Sequence, residues 1–244
     1  MEKNVSKNLI NISKDSAKRL ISDVKEIIKN PLHSEGIYYK HDDENMLKGY
    51  ALIIGPKETL YFGGNFFFEF DFPYDYPYRP PIVTYKTNDG VTRFHPNLYK
   101  NGKVCLSILN TWKGEQWTGC QSIRSVLLTI VSILDKYPLL HEPGITERHR
   151  DFENYNKIIL YKNFEIAILD ILSKKSTSCP DIFKKLFQDE INENFKKNKD
   201  LLEEQLTRFS NLSRASENVK TSLYVMNINI DWNKLSKTFK QIKT

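Results

Sequence analysis

Cysteine is scarce in this chain: Cys105, Cys120 and Cys179 are the only three among 244 residues. An odd number at wide spacing excludes a disulfide framework and a CxxC zinc site, and it fits a reducing compartment. Glycine and proline, ten of each, are too few for a collagen-like or proline-rich low-complexity chain. No apolar run approaches the roughly 18 residues of a membrane span. The opening MEKNVSKNLINISKD lacks a long apolar core and a small-residue cleavage site, so no signal peptide is expected. These absences predict a cytoplasmic or nuclear protein with no membrane partner and no metal. Charge is also undramatic. Lysine and arginine number 36 against 30 acidic residues, a net +6, and lysine never runs to five in a row. A solvated surface explains that pattern better than a nucleic-acid groove, and no nucleic-acid partner is expected.

Apolar residues make up 40% and aromatic ones 12%, enough for a sizeable core. The length corresponds to roughly 1.6 domains, which suggests one full domain with an elaboration. Residues Ser13 to Asn30 predict an amphipathic helix whose buried stripe is Leu20, Ile21, Val24, Ile27 and Ile28, with Ser13 or Asp15 as cap and Pro31 as stop. Lys14, Lys18 and Lys25 share another face, either an ordinary wet face or a contact for an acidic partner. Strands are expected over Met46–Ile54, Phe66–Phe72 and Ile82–Lys86. In the second, Phe66, Phe68, Phe70 and Phe72 alternate with Phe67, Glu69 and Asp71, as a sheet with one buried face requires. Short connections argue for an antiparallel meander with helices on one face, an α+β arrangement. Helices follow over Ser122–Lys136 and about Asp151–Leu172.

After Ser173 the run KKSTSCP reads as a linker. Pro180 at a first helical position opens a helix carrying Ile182, Phe183, Leu186, Phe187 and Ile191. The pattern continues through Leu202, Leu206 and Phe209, and Ser210–Ser222 is expected to be loose. Tyr224, Met226, Ile228, Ile230 and Trp232 alternate like an extended segment laid on the body, and Asp231 is placed to cap a last short helix. The chain divides into a core over 13–172 and a mainly helical extension over 173–244.

Chemistry concentrates in the aperiodic stretch Asn88–Thr118, and long irregular segments inside a domain are usually functional. Cys105 lies there. By base rate a lone cysteine is a small buried hydrophobe. Its setting supports a second reading, because it follows the Asn101-Gly102 turn signal and lies eight residues after Asn97. A loop of that length can fold Asn97 back toward the sulfur. A thiolate that attacks a carbonyl creates an oxyanion, which a neutral amide stabilises. His95 is a candidate base by distance along the chain, or else a structural residue shaping the His95-Pro96-Asn97 turn.

Five ordered motifs then resemble the ubiquitin-conjugating enzyme family. They are Tyr61-x-Gly63-Gly64-x-Phe66, Phe72-Pro73-x-x-Tyr76-Pro77-x-x-Pro80-Pro81, His95-Pro96-Asn97, Gly102-x-Val104-Cys105-Leu106-Ser107-Ile108-Leu109, and Trp117. Leu109-x-Thr111-Trp112-x-Gly114 and His141-Glu142-Pro143-Gly144 are most similar to the large Z-type members and to hybrid conjugase–ligases. The resemblance implies an N-terminal helix, a four-stranded antiparallel meander, a long active-site loop and further helices.

That resemblance also assigns roles. Cys105 would accept ubiquitin or a ubiquitin-like modifier as a thioester. Asn97 would stabilise the oxyanion or hold the loop, Glu142 would help activate the incoming lysine with His141 beside it, and His95 would shape the turn. Activating enzyme, ubiquitin ligase and protein substrate are the implied partners, with contacts at Lys14, Lys18, Arg19, Lys25, Tyr78 and Trp117, and no cofactor is implied. The chain departs from the common Trp-Ser-Pro-Ala at Trp117-Thr118-Gly119-Cys120. Cys120 is expected to be a packed thiol, with a redox or resolving role as the alternative, and Trp112 either a core anchor or a lid beside Cys105.

Overall fold

The computed structural model describes residues 12–173, 176–213 and 215–242. Residues 1–11 of the opening segment read for a signal peptide therefore lie outside the described residues, as do two lysines of the expected linker.

Helix α1 spans Lys14–Lys29. Ser13 caps it, its hydroxyl accepting the Ser16 N–H at 3.0 Å. Leu20 and Ile27 are buried, whereas Ile21 and Ile28 are exposed, Ile28 by 66%. The buried stripe is narrower than the periodicity suggests, because only one edge of the helix meets the sheet and the next helix.

Four strands follow, β1 (Ile37–His41), β2 (Lys48–Ile54), β3 (Asn65–Asp71) and β4 (Ile82–Tyr85), and they pair in chain order as an antiparallel meander. The register sets Tyr39 opposite Ala51, Ala51 opposite Phe68, and Phe68 opposite Tyr85. Strand β1 escapes a pattern search because only Ile37 of its five residues is fully buried. Phe66, Phe68 and Phe70 point into the main core, where they meet helix α2 (Ile123–Ile133) and helix α3 (Phe152–Lys162). Helix α3 continues through a π-helical stretch, Asn163–Asp170. Ser122 and Ser125 cap α2 reciprocally.

The sheet is covered on both faces at one end, which corrects the expectation of helices on one face only. Phe67, expected on the wet side, is fully buried with Tyr50 and Leu52 against Phe183, Phe187 and Ile191. The Phe67 ring lies 5.1 Å from that of Phe183, and Tyr50 meets Phe183 edge-on at 5.5 Å. Glu69 and Asp71, farther along β3, stay partly solvated and pair with Lys48, while Lys86 also reaches Glu69.

Of the covering residues, Phe183 belongs to helix α4 (Asp181–Leu186), Ile191 to helix α5 (Gln188–Leu212), and Phe187 lies between the two. Pro180 is the extended residue before α4 rather than its first turn, and the chain breaks at Phe187, so the single expected helix is two. Ser210–Ser222 is not loose throughout: α5 runs to Leu212, and Glu217–Thr221 forms β5. Strand β6 (Met226–Ile230) pairs antiparallel with β5, with Val219 opposite Ile228. Asp231 then caps α6 (Trp232–Lys240) by accepting the Lys234 N–H at 2.9 Å. Trp232 packs between Tyr161 and Phe209, with ring centroids at 5.2 and 4.6 Å. Leu202, Val219, Ile228 and Leu235 join the same apolar cluster as the sheet's inner face. Among the described residues no helix is long and apolar enough to cross a membrane.

Candidate active site

The segment after β4 hangs on that strand's edge. Tyr85 N–H donates to Gly102 O at 2.7 Å, and Gly102 has φ +87. A Cβ there would stand 2.9 Å from the Tyr85 carbonyl oxygen, so only glycine lets the turn approach the strand this closely. Leu98, fully buried, plugs the loop, and Tyr61 Oη fastens it by donating to Phe94 O at 2.7 Å.

Within this frame His95, Asn97 and Cys105 come together. Asn97 Nδ2 donates to the Cys105 carbonyl at 2.5 Å, and Cys105 N–H donates to Asn97 O at 2.9 Å. His95 is fully buried, and its Nδ1 accepts the Asn97 N–H at 3.0 Å. That bond places the ring proton on Nε2 and leaves no lone pair for general-base work. Burial, then the nearby His141 and Arg93, hold the imidazole well below its ordinary pKa, so the ring is neutral. Arg93 clamps the same turn from outside, its Nε and Nη2 donating to the carbonyls of His95 (3.1 Å) and Pro96 (2.5 Å).

Cys105 is only 2% exposed, and its Sγ donates to Thr111 O at 2.8 Å. Thr111 Oγ1 accepts the Leu106 N–H and shares its own proton with the Val104 and Leu106 carbonyls. The Asn110–Trp117 loop thus folds over the sulfur. A groove of about 330 Å³ runs beside it, lined by Pro80, Ile82, Asn101, Val104, Leu109 and Thr111.

On the far side of the turn, the His141 ring packs 4.8 Å from that of His95, while its Nε2 bonds Asp135 Oδ2 at 2.7 Å. The next residue, Glu142, accepts a 2.5 Å hydrogen bond at Oε2 from the Tyr224 hydroxyl.

The ubiquitin-conjugating enzyme family model matches residues 19–162, more than half of the chain. The chain belongs to the ubiquitin-conjugating enzyme family. Among curated conjugating enzymes it is 42% identical over 166 residues to ubiquitin-conjugating enzyme E2 Z of Danio rerio, covering 67% of this chain and 50% of that one. It is 42% identical over 166 residues to E2 Z of Homo sapiens, covering 67% and 46%. The human dual E2 ubiquitin-conjugating enzyme/E3 ubiquitin-protein ligase BIRC6 is 45% identical over 123 residues, 48% of this chain and 2% of that one. The chain spans about half the length of the E2 Z relatives it matches.

On this conjugating-enzyme fold the residues expected to meet partners divide. Lys14, Lys18, Lys25 and Tyr78 are exposed. Arg19 is turned inward: it pairs with Asp23 and donates to the carbonyls of Gly119 (2.5 Å) and Gln121 (2.6 Å). Trp117 is buried, its Nε1 donating to Pro77 O at 2.6 Å and its N–H to Asn110 Oδ1 at 2.8 Å, so it secures the loop from within. Trp112 is 44% exposed, which removes the core-anchor reading. Cys120 is exposed rather than packed, although Arg19 of α1 holds the carbonyls of its neighbours Gly119 and Gln121. Sequence reasoning missed Thr111, Arg93 and Tyr224. Thr111 sits in the Leu109–Gly114 motif, where nothing local signals its role, and Tyr224 reads only as one apolar step of an alternation.

Proposed function

We propose that this chain is a working ubiquitin-conjugating enzyme, with residues 13–172 as its catalytic core and 173–244 as an extension packed on it. The carrying observation is the reciprocal Asn97–Cys105 pair beside an open groove, on a fold and motif set that belong to the family. In the first half-reaction the Cys105 thiolate attacks the thioester carbonyl presented by an activating enzyme. The activating enzyme's thiolate leaves, and one thioester replaces another at little free-energy change. Position and access to the sulfur therefore matter more than a base in this step.

In the second half-reaction a substrate lysine, delivered with a ligase, attacks the Cys105 thioester. The carbonyl oxygen becomes an oxyanion for which the second Asn97 Nδ2 proton is the assigned donor, the isopeptide bond forms, and the Cys105 thiolate leaves. Lysine, with a pKa about 10.4, must lose its proton in this step, and Glu142 is the carboxylate assigned to receive it. Ubiquitin or a ubiquitin-like protein is the modifier, and the chemistry calls for a cytoplasmic or nuclear setting where the activating enzyme and ATP are present.

The closed thiol supports a second reading, a catalytically silent binding module with the same fold. Incubation with activating enzyme, ATP and ubiquitin separates the two. A thiol-sensitive adduct is expected on the intact chain and on Cys120→Ala, and none on Cys105→Ala. No adduct with ubiquitin or any ubiquitin-like modifier would leave the silent module standing.

A further inference from the structure

Tyr224 joins both halves of this site. It sits at the tip between β5 and β6, 82 residues from Glu142 along the chain. Its hydroxyl meets Glu142, and its ring lies 4.9 Å from the Arg93 guanidinium, which also stacks on Tyr99 at 3.3 Å. Arg93 in turn holds the His95 and Pro96 carbonyls next to Asn97. One side chain therefore touches the proposed proton acceptor and, through one guanidinium, the turn carrying the proposed oxyanion donor.

The backbone at this tip is held in a conformation it would not choose. Tyr224 has φ +60 and Val225 φ +48, the left-handed region that non-glycine residues rarely adopt and β-branched ones least of all. Three anchors outside the hairpin keep it there. Asp151 Oδ2 accepts the Ser222 and Leu223 N–H groups at 3.0 and 2.8 Å, and Lys100 Nζ donates to Tyr224 O at 2.7 Å. Strain that neighbouring structure over-determines in this way is characteristic of functional sites.

We propose that Tyr224 is a positioning residue for aminolysis: the extension supplies a fixed donor that holds Glu142 Oε2 and leaves Oε1 directed to the incoming lysine. Among the described residues no donor meets Oε1. Burial, reinforced by the bond to Glu142, pushes the Tyr224 phenol up, so it stays a donor at every working pH. A carboxylate free to rotate would meet the amine in the productive geometry only part of the time, and orientation of this kind is worth about ten-fold or more in rate.

The inference rests on the thioester reading, and the test separates the two. The intact chain and Tyr224→Phe, which keeps the ring against Arg93, are charged with ubiquitin and then discharged onto free lysine or onto hydroxylamine. Hydroxylamine is already uncharged at neutral pH and needs no proton acceptor. Tyr224→Phe is expected to charge, to lose about ten-fold in lysine discharge, and to keep its hydroxylamine rate. Adding Tyr224→Phe to Glu142→Gln is expected to slow lysine discharge no further. Unchanged lysine discharge overturns the proposal. So does equal slowing toward both nucleophiles, or independent losses in the double variant, since either makes the tyrosine merely structural. Failure of the intact chain to charge overturns the enzymatic reading and this inference with it, whereas failure at the discharge step alone leaves Cys105 as acceptor.

Discussion

Asn97 and Cys105 hold each other by two hydrogen bonds running in opposite directions, side-chain amide to carbonyl at 2.5 Å and amide N–H to carbonyl at 2.9 Å. One Asn97 Nδ2 proton is thereby committed to the loop, and the proposed oxyanion role falls to the other. Asn97→Ala removes both at once. Loss of an oxyanion donor elsewhere costs 10²–10³-fold in rate, so lysine discharge is expected to fall by about that factor. Charging should fall much less, because the backbone bond from Cys105 to Asn97 O survives. Single-turnover charging and discharge measured side by side decide this, and equal losses in both steps would assign Asn97 to the loop alone.

The Thr111 bond network makes access to Cys105 a testable quantity. Cys105 and Cys179 are buried and Cys120 is exposed, so a small alkylating agent should label Cys120 first. Burial also pushes the Cys179 thiol up to about 11, which slows it further. Thr111→Ala deletes the hydroxyl that ties the loop to Val104 and Leu106. Labelling of Cys105 is expected to accelerate several-fold, with a stability loss of about 1–2 kcal/mol. Unchanged Cys105 labelling would show that the loop opens by another route.

These buried relationships explain why the site was only half legible beforehand. Local pattern carried the helices: Ser13 before an apolar period marks α1, and Asp231 before Trp232 marks α6. Ordered motifs named Cys105, Asn97 and Glu142 as candidates, and the fold sets Asn97 against Cys105 and Glu142 against Tyr224. What failed needed tertiary partners. Phe67 is buried only because Phe183 and Phe187 return from more than a hundred residues away, and β1 has no apolar alternation since its outer residues stay half-exposed. Arg19 and Trp117 read as surface contacts until their long-range carbonyl partners are seen. A hydrogen bond between residues 142 and 224 leaves no trace in either local pattern.

Buried His95 predicts a pH dependence of stability. Its pKa is depressed in the folded chain, so below about 6.5, the unfolded value, the unfolded chain binds the extra proton. Stability is then lost as pH falls from about 6.5 toward the folded pKa, at up to about 1.4 kcal/mol per pH unit for one proton. His41, also held low, first by burial, adds in the same direction. Urea unfolding at pH 7.5 and pH 5.5 is expected to show lower stability at the acid value. A His95→Asn variant, less stable at pH 7.5, should show a shallower slope. A slope unaltered by that substitution would move the linkage to other groups.

Phe183 tests whether the extension is part of the folded unit or an attachment to it. The side chain is fully buried, facing Phe67 at 5.1 Å and Tyr50 at 5.5 Å on the sheet's outer face. Truncation removes an aromatic ring from a packed cluster and leaves a cavity, which elsewhere costs about 3–5 kcal/mol. If the extension unfolds together with the sheet, Phe183→Ala should lower the stability of one cooperative transition by about that amount. Exposed Tyr78, truncated to alanine, should change it by less than about 0.5 kcal/mol. If instead the extension melts separately, the variant should split unfolding into two transitions and leave the midpoint of the sheet unmoved. That result would also free Tyr50, Leu52 and Phe67 as an apolar face, and would detach Tyr224 from Glu142 under conditions where the core is still folded. Intrinsic fluorescence reports the two regions apart, because Trp232 lies in the extension and Trp117 beneath the active-site loop. Coincident transitions from variants that keep Trp117 alone or Trp232 alone, with Trp112 and the remaining tryptophan replaced by phenylalanine, are the expected outcome.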